Sequence, residues 1–238
     1  MDVKEKEAEI IVSNNETALV QPQQYIQEKT DSLLIEKIFK RIIDILGGIV
    51  GTIVLIPLTI GIVIANLICK DTGPIFYSQY RMGKNGKLFK MYKYRSMVVG
   101  ADEKLKKYLE ENEEARKEYK KYKKLKHDPR VTKVGEFIRK TSLDEFPQFI
   151  NVLKGDMSLV GPRPYLEREK DDMNGYYKYI TTFKPGLTGL WQISGRSDVD
   201  FATRIDLDMQ YYYNHSLKGD IKILFKTAMK LVKREGAL

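Results

Sequence analysis

The apolar residues of this chain fall into one long uninterrupted block followed by short periodic runs. From Ile45 to Cys69 there are 25 residues without a charged side chain. As a straight helix this block would extend about 37 Å at roughly 1.5 Å per residue, enough to cross a bilayer. Two features complicate a simple span. Pro57 lies near the middle, where it removes a backbone donor and crowds the carbonyl of Ile53, so a bend into two half-helices is predicted. Basic residues flank both ends, with Lys37, Lys40 and Arg41 before the block and Lys70, Arg81 and Lys84 after it. Positive charge favours the cytoplasmic side, so both ends can lie there in a re-entrant hairpin. The pattern leaves single-pass and re-entrant readings open, with Thr52 or water to satisfy the backbone at the bend. Residues 1–33 are polar and read as a disordered cytoplasmic tail without a signal peptide.

Beyond the block the periodicities change. Between Thr72 and Gly100 aromatic and apolar residues alternate with Arg81, Lys84, Lys87, Lys90, Lys93 and Arg95, and no acidic residue intervenes. Asn85-Gly86 divides the run and predicts a β-hairpin. Residues 102–126 carry Leu105, Tyr108, Leu109, Ala115, Tyr119, Tyr122 and Leu125 at spacings of three and four, which predicts one amphipathic helix suited to a membrane interface. Leu143, Phe146, Phe149, Ile150 and Leu153 mark a short helix closed by Gly155. Because Pro147 is tolerated only in a first turn, that helix is predicted to begin near Asp144. Short strands are expected at Met157–Gly161 and Leu190–Ile193. These elements give an α/β (α+β) fold in three parts. They are a tail over 1–33, a membrane segment over 34–70 bent at Pro57, and a membrane-interface domain with amphipathic helices and a small sheet over 71–238.

Charge narrows the function. The formal net charge of +9 points to an anionic partner, whether phosphorylated substrate, membrane surface or nucleic acid. A single cysteine, Cys69, excludes an intrachain disulfide and fits a reducing compartment. The two histidines, His127 and His215, are too isolated for a structural zinc site or a Ser-His-Asp triad.

Against this basic background, Asp144 and Glu145 stand side by side. Neighbours on a helix point about 100° apart, so they are not a glycosidase pair. A capping box with Ser142 as N-cap accounts for them without chemistry. A nucleophile beside a metal ligand also accounts for them, although on the local pattern alone the cap is the simpler reading. Arg139, five residues upstream, could neutralise an incoming phosphate, and Lys93 and Arg95 are the hairpin cations most suited to a substrate. Pro162-Arg163-Pro164 holds one guanidinium on a rigid backbone, and Gln192 lies between glycines that permit close ligand approach.

Taken together the motifs resemble one family, the bacterial monotopic phosphoglycosyl transferases. The resemblance rests on Lys40-Arg41…Asp44, Pro57, Gly73-Pro74-Ile75-Phe76…Gln79-Tyr80-Arg81-Met82-Gly83 and Tyr92-Lys93-Tyr94-Arg95-Ser96-Met97. It continues through Asp128-Pro129-Arg130, Thr141-Ser142-Leu143-Asp144-Glu145-Phe146-Pro147-Gln148, Gly155-Asp156-Met157…Pro162-Arg163-Pro164 and Lys184-Pro185-Gly186…Gly195-Arg196. Ile56 precedes Pro57 where the family often carries Ser, so the bend must be held without that hydroxyl. The resemblance implies a minimal catalytic form with a re-entrant helix at the bacterial inner membrane and its active site on the cytoplasmic face. It implies transfer of a sugar 1-phosphate from a UDP-sugar to undecaprenyl phosphate with release of UMP. Asp144 would be the nucleophile, and Glu145 would attend Mg²⁺ with it. Arg139 and Lys93 would handle phosphates, Pro162-Arg163-Pro164 the uridine, and Arg196 the diphosphate, with Arg95 and Gln192 as further substrate contacts. Membrane lipid and a second copy of the chain are the expected partners, and nucleic acid is not. Two other readings compete: a single-pass, non-catalytic basic adaptor for anionic lipid or nucleic acid, and a membrane phosphatase using Asp144.

Overall fold

A computed structural model describes residues 22–195 and 199–233, with side chains from Leu34 to Gly195 and from Val199 to Lys230. Most of the expected N-terminal tail, and Arg196, therefore lie outside the described residues. The architecture is α+β, with one long apolar helix, many short helices and two small sheets.

Helix α1 spans Pro22–Ile68 and continues past Pro57 as one element. Its segment up to Phe39 forms a unit by itself, with Leu34, Ile35, Ile38 and Phe39 exposed. From Lys40 onward the helix belongs to the compact body of the chain. There, Asp44, Leu55, Ile62 and Asn66 are buried on one face, while Ile49, Val50, Ile53, Ile56, Ile60, Ile64 and Leu67 are exposed on the other. Leu34–Ile68 is the only helix among the described residues long and apolar enough to cross a membrane.

The inward face is shaped for contact with protein. A Cβ at Gly51 would lie 2.2 Å from the Phe149 ring, so only glycine lets the helix approach so closely here. Asp44 Oδ1 accepts from Ser158 Oγ at 2.9 Å and from the Leu159 N–H at 2.8 Å. Lys40 donates to the Val160 carbonyl and pairs with Asp220. Arg41 donates to the Val152 and Leu153 carbonyls, each at 2.8 Å. Lys40 and Arg41, expected to mark the membrane boundary, are thus tethers to the protein body. At the proline, the Leu55 carbonyl accepts from Thr59 Oγ1 at 2.7 Å and from the Tyr94 hydroxyl at 3.2 Å. Thr52, expected to satisfy the backbone at the proline, does not do so, because its hydroxyl is buried without a partner.

The hairpin forms as expected. Strand β1 (Phe76–Met82) pairs antiparallel with β2 (Leu88–Tyr94), Phe76 opposite Tyr94 and Met82 opposite Leu88. A short 3₁₀ turn over Lys84–Gly86 joins them, with Asn85 and Gly86 both at positive φ. The single amphipathic helix expected over 102–126 is instead two, α2 (Ala101–Glu111) and α3 (Glu113–Tyr122). Asn112 causes the break: its backbone is extended and its side chain caps the second helix by accepting from the Ala115 N–H. The apolar stripe folds on itself, burying Leu105, Ala115 and Leu125 together, so it is not a free interfacial face.

Helix α4 (Lys133–Lys140) leads through a 3₁₀ turn (Leu143–Glu145) into α5 (Gln148–Lys154), which Gly155 closes at φ 86°. Strand β3 (Ser158–Val160) pairs in parallel with β4 (Gly186–Thr188), the short α6 (Tyr177–Ile180) lying between them in sequence. The strand expected at Leu190–Ile193 is helical instead, as α7 (Leu190–Ser194). Gly186–Thr188 takes the place beside β3, and a Cβ at Gly186 would meet the Gly161 nitrogen at 2.1 Å. Helices α8 (Phe201–Asn214) and α9 (Leu217–Lys233) complete the chain. Phe89, Met91, Val152, Met157, Val160, Tyr211 and Ile223 form a core shared by the hairpin, α5, β3, α8 and α9. Leu55 and Ile62 of α1 join a second core with Tyr94, Val134 and Ile138.

The buried Asp44 junction makes a direct expectation. Asp44→Ala strands two buried donors and should cost about 1–3 kcal/mol in denaturant unfolding. Asp44→Asn, which keeps an accepting oxygen, should recover most of that loss.

Candidate active site

Pro147 decides where the carboxylates stand. In a helix interior its ring would collide with the carbonyl four residues back, so α5 starts only at Gln148, with Pro147 at its N-cap. Asp144 and Glu145 sit on the preceding 3₁₀ turn, not in the first turn of α5 as expected. Ser142 takes a left-handed φ of 58° and makes no side-chain cap to that turn, so the capping box does not form. The turn presents both carboxylates to Lys93 on β2. Lys93 Nζ lies 2.9 Å from Glu145 Oε1 and 3.9 Å from Asp144 Oδ2.

Asp144 is the more enclosed of the pair, its side chain 14% exposed against 39% for Glu145. Burial pushes its carboxyl up to about 6, against the pull of Lys93 and Arg139 and with the help of Glu145's like charge. Burial, and not a helix N-terminus, therefore sets its electrostatics. Near neutral pH it remains mostly ionised, a poorly solvated carboxylate beside a cation, which is the state a nucleophile needs.

Asp144, Glu145, Lys93, Arg139, Arg95, Arg163 and Gln192 all line one cavity of about 1300 Å³. Leu46, Val50 and Val54 of α1 line the same cavity. Arg95 reaches it with its fork already engaged, donating to Pro74 O, Met97 O and Asp71 Oδ1. Pro162 is fully buried, and its carbonyl accepts from the Gly186 N–H at 2.8 Å. The Pro164 carbonyl accepts from Arg81. The two prolines thus fix the loop, and Arg163 alone of the three faces the cavity. Among the described residues no three or more His, Cys, Asp or Glu side chains gather into a metal cluster. The Asp144-Glu145 pair supplies oxygen donors only, a set that suits Mg²⁺ when phosphates and water complete the octahedron.

A second group of charges was not foreseen. Arg204 and Asp208 are buried on α8, one turn apart, on the face that also buries Phe201, Ile205 and Met209. A charged pair at a spacing of four within an apolar stripe is the signal in the sequence. Asp208 Oδ2 accepts from the Tyr165 hydroxyl at 2.8 Å and from the Arg163 N–H at 3.1 Å. Arg204 donates to the Val199 carbonyl through Nε and Nη2. The guanidinium carbons of Arg163 and Arg204 lie 5.2 Å and 5.6 Å from the Trp191 ring.

Burial raises the Asp208 carboxyl to about 7, against hydrogen bonds from Tyr165 and Arg163. Its folded value exceeds the unfolded one, so the native state holds a proton between about pH 4 and pH 7 that the unfolded chain releases. Stability in this window falls as pH rises. Asp208→Asn should therefore melt several degrees higher than the parent at pH 8 and equally at pH 4, as followed by circular dichroism.

Comparison with known proteins places the motifs in context. The family described as bacterial sugar transferase matches residues 35–234. An undecaprenyl-phosphate galactose phosphotransferase of Salmonella typhimurium is 47% identical over 230 residues, covering 95% of this chain and 46% of that protein. The exopolysaccharide production protein ExoY of Rhizobium meliloti is 43% identical over 204 residues, covering 85% of this chain and 90% of ExoY. A UDP-glucose:undecaprenyl-phosphate glucose-1-phosphate transferase of Escherichia coli is 37% identical over 205 residues, with 82% and 40% covered. The chain thus spans less than half the length of the first and third of these relatives and nearly all of ExoY.

Proposed function

The chain belongs to the bacterial sugar transferase family, and we propose that it transfers a sugar 1-phosphate from a UDP-sugar to undecaprenyl phosphate. One observation carries this reading: a single cavity joins the Asp144-Glu145-Lys93 group to the apolar surface of α1. A water-soluble phosphorylated donor and a lipid phosphate acceptor both find matching surface there. The names of the Salmonella and Escherichia relatives, a galactose and a glucose phosphotransferase acting on undecaprenyl phosphate, support the substrate classes.

In this mechanism a carboxylate oxygen of Asp144 attacks the β-phosphorus of the donor. The bond from that phosphorus to the bridging oxygen breaks, and UMP departs with the electron pair. An oxygen of the acceptor phosphate then attacks the aspartyl-phosphosugar, giving polyprenyl diphosphate sugar and returning the carboxylate. Covalent catalysis suits a transfer between anions because each half needs only one of them near the nucleophile. Lys93 shields the approaching phosphate from Asp144, and Arg139 in the last turn of α4 adds positive charge from the cavity wall. Mg²⁺, held by Glu145 and Asp144, would supply further neutralisation of phosphate charge when bound.

Packing supports a monotopic disposition. Within the compact body, α1 is fastened near Asp44 by Ser158 and Leu159 and near Leu55 by Tyr94, and its Ile62 is buried with Val134 and Ile138. Asp44 to Ile62 is about 27 Å of helix at roughly 1.5 Å per residue, close to the hydrocarbon thickness of a bilayer. A helix crossing the membrane would carry one of these contacts away from the polar domain. The monotopic arrangement, with domain and both helix ends on the cytoplasmic face of the inner membrane, accommodates both.

Two measurements test this. Asp144→Asn should lower UMP release from UDP-galactose or UDP-glucose, with undecaprenyl phosphate present, by a thousandfold or more, a full loss of the nucleophile; unchanged turnover removes Asp144 from that role. Cysteines introduced at positions 2–30 should resist a membrane-impermeant thiol reagent in intact cells. Labelling there overturns the monotopic arrangement.

A further inference from the structure

Lys93 precedes Glu145 by 52 residues, so the 2.9 Å contact between them depends on how β2 is set against α5. The turn bearing Asp144 and Glu145 is continuous with that helix. Phe146 N–H donates to the Leu143 carbonyl, Phe149 N–H to Phe146 O and Ile150 N–H to Pro147 O. Whatever fixes α5 against β2 therefore fixes the carboxylates against Lys93. Phe89 and Met91 of β2 share a core with Val152 of α5. Such apolar contact draws the two elements together but is non-directional, and by itself sets no register.

The register comes from a side chain that the reaction above does not use. Asn151, in the middle of α5, is fully buried. Its Oδ1 accepts from the Tyr92 N–H at 3.0 Å, and its Nδ2 donates to the Lys90 carbonyl at 2.8 Å. The sheet has two strands, with β1 along the opposite edge of β2. A carboxamide thus stands where the backbone of a third strand would pair, giving one acceptor and one donor to residues two apart. Nδ2 also reaches Asp156 Oδ2 at 3.3 Å. The residue is anchored from its backbone too, because its carbonyl accepts from the Gly155, Asp156 and Met157 N–H groups. Aspartate in its place would lack the donor for Lys90 and would set like charge against Asp156. Glutamine would drive an extra methylene into a closed space. By contrast, the link from Lys154 Nζ to the Tyr92 hydroxyl is long, at 3.5 Å, and exposed.

Tyr92 is the chain neighbour of Lys93. The path from the ammonium to the carboxylates therefore runs through one strand residue, one carboxamide and one stretch of hydrogen-bonded backbone. We propose that Asn151 is a positioning residue of the transfer reaction, whose carboxamide holds β2 in the register at which Lys93 meets Asp144 and Glu145. This deepens the reading of Lys93 given above and rests on it. Ångström-scale misplacement of a group that shields reacting charge is felt as a large loss of rate.

Two readouts on the full chain in detergent, below the melting temperature of each variant, test the assignment. Asn151→Ala should lower kcat for UMP release at least tenfold while KM for the UDP-sugar moves less than threefold. In a Lys93→Gln background the same change should cost less than twofold, because Asn151 then has no ammonium to place. The second readout needs no turnover. Acetylation of Lys93 by an amine-reactive reagent, followed by mass spectrometry against the exposed Lys106, should run at least threefold faster in Asn151→Ala, as in Glu145→Gln. Asn151→Ser, which leaves a smaller void and still cannot span both β2 partners, should behave as Asn151→Ala does and serves if the alanine variant fails to fold. Unchanged Lys93 acetylation in the folded variants, or a kcat loss that persists in full in the Lys93→Gln background, overturns the assignment. A parent chain that releases no UMP would strike the functional reading, and the acetylation rates would still decide whether Asn151 places Lys93.

Discussion

The body of this structure depends on how closely α1 lies against the domain. Asp44 is a buried carboxylate that accepts two hydrogen bonds from the start of β3, and Lys40 and Arg41 grip backbone carbonyls on either side of it. Glycines follow on the same face, so helix backbone meets the side chains of Phe149 and Leu159 directly. This fastening brings an apolar surface that would otherwise seek lipid to the rim of a charged cavity. Without it the carboxylates would face water on a soluble domain, and the apolar helix would be only an anchor.

The consequences pass through short elements. Strand β3, which holds Asp44, runs straight into Pro162-Arg163-Pro164, and α5, which Arg41 caps, is preceded by the turn bearing Asp144 and Glu145. Both charged centres are thus reached within a few residues of an α1 contact. The 3₁₀ geometry of Leu143–Glu145 exists because Pro147 bars a regular helix there. Its result is a carboxylate buried enough to be poorly solvated yet adjacent to Lys93. Asn112 and the α2–α3 pair are peripheral by comparison, a satellite core of their own.

Much of this was legible in the sequence, and what was not has identifiable causes. The hairpin was marked by Asn85-Gly86, the end of α5 by Gly155, and the carboxylate pair by its charge against a basic background. Lys93 was singled out as a hairpin cation suited to a substrate, and the structure places it beside both carboxylates. The misreadings come from groups whose role is set by distant partners. Lys40 and Arg41 look like interfacial charges until β3 and α5 are seen to receive them. Leu190–Ile193 has strand composition, but Gly186–Thr188 fits beside β3 because glycine can pass the Gly161 backbone. Residues 102–126 show a helical period throughout, and only the cap chemistry of Asn112 divides them. Arg81, Arg163 and Arg204 come to one cavity wall from β1, the Pro-Arg-Pro loop and α8, which no local pattern connects.

Strand β2 joins two things described separately above. Tyr94 turns inward to the Leu55 carbonyl beside Pro57, and Lys93, its neighbour in the chain, turns the other way to Asp144 and Glu145. Successive residues of a strand face opposite sides, so one peptide unit separates the cation at the carboxylates from the hydroxyl at the helix. The strand thus couples the helix to the charges: a shift of α1 at Leu55 is passed, one residue along β2, to the backbone that carries Lys93.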